Sequence, residues 1–175
     1  LGAKVVAFDT RPEVAEQVHS LGGKFLEIDL GETGSTKDGY AVALTPEQQA
    51  LQLEGQKKQI AESDIVITTA QLFGRKPPQL VKDDAIAGMK AGSVIVDMAA
   101  MKDGDEYYGN VEGSRFGETV TIHDVSVIGN GNWANVVARD ASQMYSANMF
   151  NLVDEYWNEE AKAFELDFED DILQG

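Results

Sequence analysis

Asp9 ends a short apolar run, KVVAF over residues 4–8, and is followed by Thr10 and Arg11. A carboxylate at the end of such a strand accepts hydrogen bonds from a ribose 2′-hydroxyl and repels a 2′-phosphate, while a nearby guanidinium can lie against adenine or pyrophosphate. The same pair permits a plainer arrangement, in which Asp9 caps the following helix and pairs with Arg11 at the surface. Thr68-Thr69-Ala70-Gln71 closes a second apolar run. Its small residues let backbone amides approach a flat ring or a phosphate, or simply carry the chain out of a strand. Asp38-Gly39-Tyr40 offers a hinge with one aromatic ring able to cover a nucleotide, or to tack a loop down. Gly129-Asn130-Gly131-Asn132 is a tight turn whose amides could hold a carboxamide, or serve only as a turn. His19 and His123 have no Ser, Cys or second His at catalytic or metal-ligand spacing, and read as structural. None of these residues demands a protein nucleophile or general base. If a nicotinamide cofactor binds, the hydride chemistry is the cofactor's, and the protein supplies position and environment.

The elements that must position these residues follow from periodicity. Residues 4–8 read as a buried strand, and Thr10 as the N-cap of a helix that begins near Pro12, carries Val14, Val18 and Leu21 on one face, and closes at Gly22-Gly23. Residues 24–28 (KFLEI) read as the next strand, which is βαβ grammar and implies a parallel sheet. Residues 29–44 are rich in Gly, Ser, Thr and Asp without period, a long connection of the kind that is functional or disordered. Thr45-Pro46-Glu47-Gln48 has capping-box spacing and starts a helix to about residue 62. Strands are expected at 65–69, 93–97 and 125–128, a short helix at 82–89, an irregular polar stretch at 100–117, and a final helix at 138–157. Beyond Asn158, Phe164, Leu166 and Phe168 alternate with Glu165, Asp167 and Glu169, as in a strand or extended arm seeking a partner outside the chain.

The expected fold is therefore α/β, a Rossmann-like doubly wound parallel sheet in which ligands sit outside the carboxyl ends of the strands. Asp9, Thr69 and Asp97 all lie at such ends. The glycine-rich turn that precedes the strand-end acid by about 20 residues has no room, because only eight residues stand before Asp9. The sheet is expected to be truncated at both ends, lacking its first strand and that turn. Residues 1–137 form the partial nucleotide-binding domain and residues 138–175 a long helix with an acidic tail returning toward a missing first domain.

Composition narrows the partners. Thirty acidic against fourteen basic residues give a formal charge of −16, which repels phosphate backbones and anionic headgroups, so nucleic acid is not an expected partner. Cysteine is absent, which excludes disulfides and thiolate metal sites. No apolar run reaches the roughly 18 residues of a membrane span, and the first residues do not read as a signal peptide.

With those residues assembled, the chain resembles the NAD(H)-binding component, the alpha subunit, of proton-translocating NAD(P)+ transhydrogenases, within the superfamily shared with alanine dehydrogenase. The resemblance runs through Leu1-Gly2-Ala3 to Phe8-Asp9-Thr10-Arg11-Pro12-Glu13-Val14, Leu21-Gly22-Gly23-Lys24-Phe25, Asp38-Gly39-Tyr40-Ala41, Asp64-Ile65-Val66-Ile67-Thr68-Thr69-Ala70 and Met89-Lys90-Ala91-Gly92-Ser93-Val94-Ile95-Val96-Asp97, close to the whole chain. It implies that Asp9, Thr10 and Arg11 bind the adenosine half of NAD. It also implies that Gly39 touches the cofactor, that Tyr40 closes with it, and that Gln52 and, beside Thr69 and Ala70, Gln71 contact it. Asn132, in the turn after the last core strand, completes the set. The long loop at 29–44 favours transhydrogenase over alanine dehydrogenase. Tyr108-Gly109-Asn110-Val111-Glu112-Gly113 resembles the family's Gly-Gly-Asn turn after extra residues at 102–107, and Ala134, Asn135 and Val136 replace the usual Pro and Arg.

The resemblance further implies hydride transfer from NADH to NADP+ on an NADP(H)-binding component, coupled to proton passage through a membrane domain. The assembly would be a homodimer at the cytoplasmic face of the inner (plasma) membrane, and the fragment alone would bind NAD weakly or not at all and be inactive. The alternatives are an alanine dehydrogenase-like oxidoreductase and a non-catalytic NAD-binding module.

Overall fold

The computed structural model describes residues 2–34, 41–71 and 74–174. They form two compact units, Leu1–Gly131 and Asn132–Gly175.

The first unit opens with β1 (Val6–Ala7), α1 (Val14–Ser20) and β2 (Lys24–Phe25), a βαβ unit whose strands pair in parallel with Val6 opposite Lys24. Both strands are shorter than the apolar runs suggest. Thr10 does not cap α1: Glu13 holds the cap position without a side-chain cap bond, and residues 10–13 wind as turns in which the Val14 amide donates to the Arg11 carbonyl at 3.2 Å. The reason lies in Asp9, whose carboxylate draws the chain back on itself two residues further along.

Next comes α2 (Pro46–Ala61), then β3 (Ile65–Thr68), α3 (Asp83–Ile86) and β4 (Val94–Asp97). The capping box is formed: Gln48 N donates to Thr45 Oγ1 at 3.3 Å and Thr45 N to Gln48 Oε1 at 3.0 Å. The stretch read as irregular contains a two-stranded antiparallel hairpin, β5 (Met101–Asp103) with β6 (Glu106–Tyr108), followed by β7 (Glu118–Ile122) and β8 (Val125–Gly129). The ammonium of Lys76 lies 3.8 Å from the centre of the Tyr108 ring, a cation–π contact that fastens the hairpin.

The main sheet has the order β3-β4-β8-β7, parallel except for β7 at its edge. Its register puts Val66, Ile95 and Val127 side by side on one face, where Ile60 of α2 and Ala85 and Ile86 of α3 cover them together with Val81, Met89, Val111 and Val125. Withdrawing this cluster's apolar surface from water stabilises the fold by about 25 cal/mol per Å². On the opposite face Ile65 and Ile67 remain 65% and 62% exposed. A parallel sheet is ordinarily covered on both sides; among the described residues that second face is only partly covered, with Val94, Val96 and Ile128 half-buried.

The second unit contains α4 (Trp133–Val136), α5 (Ala138–Glu155), β9 (Trp157–Asn158), β10 (Ala163–Phe164) and α6 (Asp171–Gln174). Of the two readings of the alternating tail, its start takes the strand, paired within the unit instead of with an outside partner, while Leu166 and Phe168 remain exposed. β10 folds back antiparallel onto β9, and the Phe164 ring meets Trp157 edge-on at 5.2 Å. No residue of α5 is buried, and Met144 and Tyr145 are 70% and 69% exposed. Among the described residues no helix is long and apolar enough to cross a membrane.

Candidate functional site

The polar residues gather at the carboxyl ends of the parallel strands. After β1, Asp9 makes an Asx turn and an ion pair with one residue: Oδ1 accepts from Arg11 N at 2.9 Å and from Arg11 Nε at 3.0 Å, and Oδ2 accepts from Arg11 Nη2 at 2.8 Å. The pairing alternative open in the sequence is thus realised. Burial works to raise the Asp9 carboxyl, but the hydrogen bonds and charge of Arg11 outweigh it and hold the group below the usual carboxylate range. The same hydrogen bonds raise the guanidinium. A carboxylate offers about four lone-pair sites; Arg11 takes three, and the Asp9 side chain stays 25% exposed. Thr10 is half-buried between the two.

After β3, Thr69 and Gln71 are exposed and Ala70 is half-buried. The Asn110 carboxamide pairs with both backbone groups of Ala70, as another strand residue would: Ala70 N donates to Asn110 Oδ1 at 3.0 Å, and Asn110 Nδ2 donates to the Ala70 carbonyl at 2.9 Å. The Ala70 amide is thus committed, while its carbonyl keeps a second lone pair. The other Nδ2 hydrogen goes to the Pro78 carbonyl at 2.7 Å. Gln71 Nε2 donates to the Met98 carbonyl at 3.3 Å, which ties the exit of β3 to that of β4.

Behind Asn110 stands Asp97, the last residue of β4 and wholly buried. Its Oδ1 accepts from Ala99 N at 3.0 Å, Asn110 N at 3.3 Å and Thr68 Oγ1 at 3.4 Å, and its Oδ2 from Val111 N at 3.2 Å. No cation faces it among these contacts; backbone dipoles carry the compensation. Gly109 admits the carboxylate, since a Cβ there would lie 2.2 Å from Asp97 Oδ2. At the end of β8, Gly129 is equally crowded, with its Cβ position 2.3 Å from the Arg115 carbonyl oxygen.

Gln52 lies on α2, one turn after Gln48, and is buried at 6% exposure. Gln48 does more than complete the cap: Nε2 donates to the carbonyls of Leu30 at 2.8 Å and Glu32 at 3.1 Å, pinning the start of the long loop. Gly39 and Tyr40, with Asp38, lie outside the described residues. Asn132 opens the second unit, exposed, in the cap position of α4 without a side-chain cap bond.

The structure thus brings Asp9, Thr10 and Arg11 together in one turn, and Thr69, Ala70 and Gln71 in another held by Asn110 and Met98. It does not join the two turns by strand pairing among the described residues, because β1 and β3 belong to separate sheets. Spacing alone does not reveal the roles of Asp97 and Asn110, although an acid ending an apolar run and a Gly-Asn after it are both visible in the chain. A cavity of about 240 Å³ opens beside Pro77, Gln79, Tyr107, Tyr108 and Gly109, below the range of about 300–1,000 Å³ usual for ligand pockets. Among the described residues no three His, Cys, Asp or Glu are grouped to hold a metal ion.

Parallel strands alternating with helices, with polar residues at the carboxyl ends of the strands, define a Rossmann-like α/β domain. The chain belongs to the family described as alanine dehydrogenase/PNT, C-terminal domain, whose sequence profile matches residues 1–175. It is 42% identical over 176 residues to the NAD(P) transhydrogenase subunit alpha of Haemophilus influenzae, covering 100% of this chain and 33% of that protein. It is 36% identical over 177 residues to the NAD(P) transhydrogenase subunit alpha of Cereibacter sphaeroides, again covering 100% and 33% respectively. Among solved structures, the transhydrogenase from Sinorhizobium meliloti superposes with a TM-score of 0.69 at 36% identity, covering 99% of this chain and 43% of that one. The chain accordingly spans less than half the length of these relatives.

Proposed function

We propose that this chain is the NAD(H)-binding part of a transhydrogenase that passes hydride between NADH and NADP+. The observation that carries the reading is Asp9, ionised at a strand end in a chain whose whole length matches transhydrogenase alpha subunits. The dinucleotide supplies the hydride; the residues of this chain bind and orient it. Asp9 offers Oδ2 to a ribose hydroxyl while Arg11 still holds the remaining contacts, and a cis-diol engaging both oxygens displaces part of the Arg11 fork. The charge of Asp9 opposes a 2′-phosphate, which selects NAD over NADP. Thr69 and Gln71 present the rim of the second half-site, and Gln52, Gly39, Tyr40 and Asn132 complete the set that the family resemblance implies.

In the doubly wound order 3-2-1-4-5-6 the glycine-rich turn follows a strand flanked by the second and the fourth. Assigned to those two places, β1 and β3, which end separate sheets, support the reading that residues upstream strengthen binding and that this stretch alone is inactive. The partners we assign are an NADP(H)-binding component, a membrane domain that couples hydride transfer to proton passage, and a second copy of the chain, with the assembly at the cytoplasmic face of the inner membrane.

The test is a fluorescence titration of NADH, with NADPH as competitor, against this chain, a form extended upstream, and Asp9→Asn in each. A clear preference for NADH that Asp9→Asn removes is the expected result. A preference untouched by that substitution refutes the role of Asp9, and equal affinities for the short and extended forms refute the need for upstream residues.

A further inference from the structure

We propose that Asn110 is a positioning residue: backed by Asp97, it sets the Thr69–Gln71 turn for the nicotinamide half of the dinucleotide. The inference rests on the nucleotide-binding reading given above and adds a residue to it. A doubly wound sheet holds a dinucleotide as two mononucleotide halves across the crevice at the strand ends. With the adenosine ribose at Asp9 after β1, the other half falls to the exits of β3, β4 and β8.

At those exits the backbone is held by one carboxamide. Asn110 is wholly buried, and both Nδ2 hydrogens and Oδ1 are committed, to the two backbone groups of Ala70 and to the Pro78 carbonyl. Its own carbonyl accepts from Leu80 N at 2.7 Å and Val81 N at 2.9 Å, so the same residue also anchors the segment leading to α3. Its amide is held in turn by Asp97, which Gly109 leaves room to approach. The side chain of Asn110 thus ties the exit of β3 to the segment at Pro78, and its main chain ties both to Leu80, Val81 and Asp97. Asn110 bonds both main-chain groups of Ala70, and the residues on either side of it, Thr69 and Gln71, are exposed, with Gln71 tied to the Met98 carbonyl.

The discriminating variant is Asn110→Asp, nearly the same shape. Ionised, it still accepts from Ala70 N but can no longer donate to the Ala70 and Pro78 carbonyls. Affinities for NADH and for 5′-AMP, which reaches only the Asp9 half, are measured by titration in whichever form of the protein, short or extended upstream, binds NADH more tightly. The expected result at pH 7.5 is NADH affinity reduced at least tenfold with 5′-AMP affinity within twofold of the parent. The NADH loss shrinks as the pH is lowered toward 5, because the protonated carboxyl donates to one carbonyl again. A purely structural role moves both ligands together and leaves their ratio constant. Should Asn110→Asp fail to fold, Asn110→Ser removes the same donors without adding charge and carries the same ratio test. An unchanged ratio in a folded variant overturns the inference while the parent's NADH binding upholds the underlying reading. A parent that binds neither nucleotide overturns both.

Discussion

Replacing Asp97 by Asn tests whether a buried carboxylate organises the strand ends. The side chain accepts from four donors and is completely buried, so the amide must turn its nitrogen toward one group of them. With nitrogen in place of Oδ2, the Val111 amide, 3.2 Å away, faces a donor and loses its partner. With nitrogen in place of Oδ1, the amides of Ala99 and Asn110 are stranded instead, which is worse. The better rotamer therefore leaves one buried N–H unsatisfied, at about 1–3 kcal/mol, and weakens the remaining bonds from the charged toward the neutral range, a further 1 kcal/mol or so. The expected loss is about 2–4 kcal/mol, a large part of the roughly 5–15 kcal/mol typical of a domain. Equilibrium urea unfolding followed by far-ultraviolet circular dichroism reads it as a lower midpoint at constant m-value. Thr68→Val, which removes only the 3.4 Å contact, serves as control and is expected to cost less than about 1 kcal/mol. A loss under about 0.5 kcal/mol for Asp97→Asn refutes the reasoning, since the carboxylate would then be replaceable by any polar group of its shape.

Ile86→Ala empties a site with no solvent exposure in the centre of the core and is expected to cost about 2–5 kcal/mol, whereas Met144→Lys on the open face of α5 stays within about 0.5 kcal/mol, both read from thermal melts. Gln48→Glu keeps the acceptor for Thr45 N but loses both donors to the Leu30 and Glu32 carbonyls, so amide hydrogen exchange should quicken in residues 30–34 and stay unchanged within α2. Folding lowers the Asp9 carboxyl, so its contribution to stability is complete above about pH 4, the value of a free Asp, and fades only as pH falls through the lower folded value. Arg11→Ala removes the guanidinium bonds and charge but keeps the main-chain N–H bonds of residues 10 and 11, so the Asp9 midpoint, followed by NMR of its carboxyl carbon, should rise from its folded value.

Much of the architecture is local and therefore visible in the chain. Thr45 and Gln48 announce the start of α2 because a capping box is made entirely within four residues. The apolar runs at β3, β4 and β8 show the parallel core for the same reason. β5 and β6 were hidden because their side chains are mostly charged or aromatic and solvated; the two-residue loop at Gly104-Asp105, with Gly104 at φ +59°, was the available signal. β7 joins β8 through His123 and Asp124, both at positive φ, a tight turn made without the glycine that ordinarily betrays one. The Asp9–Arg11 pair could be proposed from two letters two positions apart. The Asp97–Asn110 arrangement could not, because its donors lie 2, 13, 14 and 29 residues away and converge only when the sheet is assembled.

The tight quarters at Gly109 and Gly129 limit how this rim can change over generations. A single methyl group at 109 collides with a carboxylate oxygen, and one at 129 with a main-chain oxygen, so neither obstacle is a limp side chain that could swing aside. Alanine at 109 becomes tolerable only alongside a shorter residue at 97, so the two codons are expected to be inherited as a couple. At 129 no partner substitution relieves the collision, and the position stays closed to mutational drift while the charged hairpin a few residues away is free to diversify.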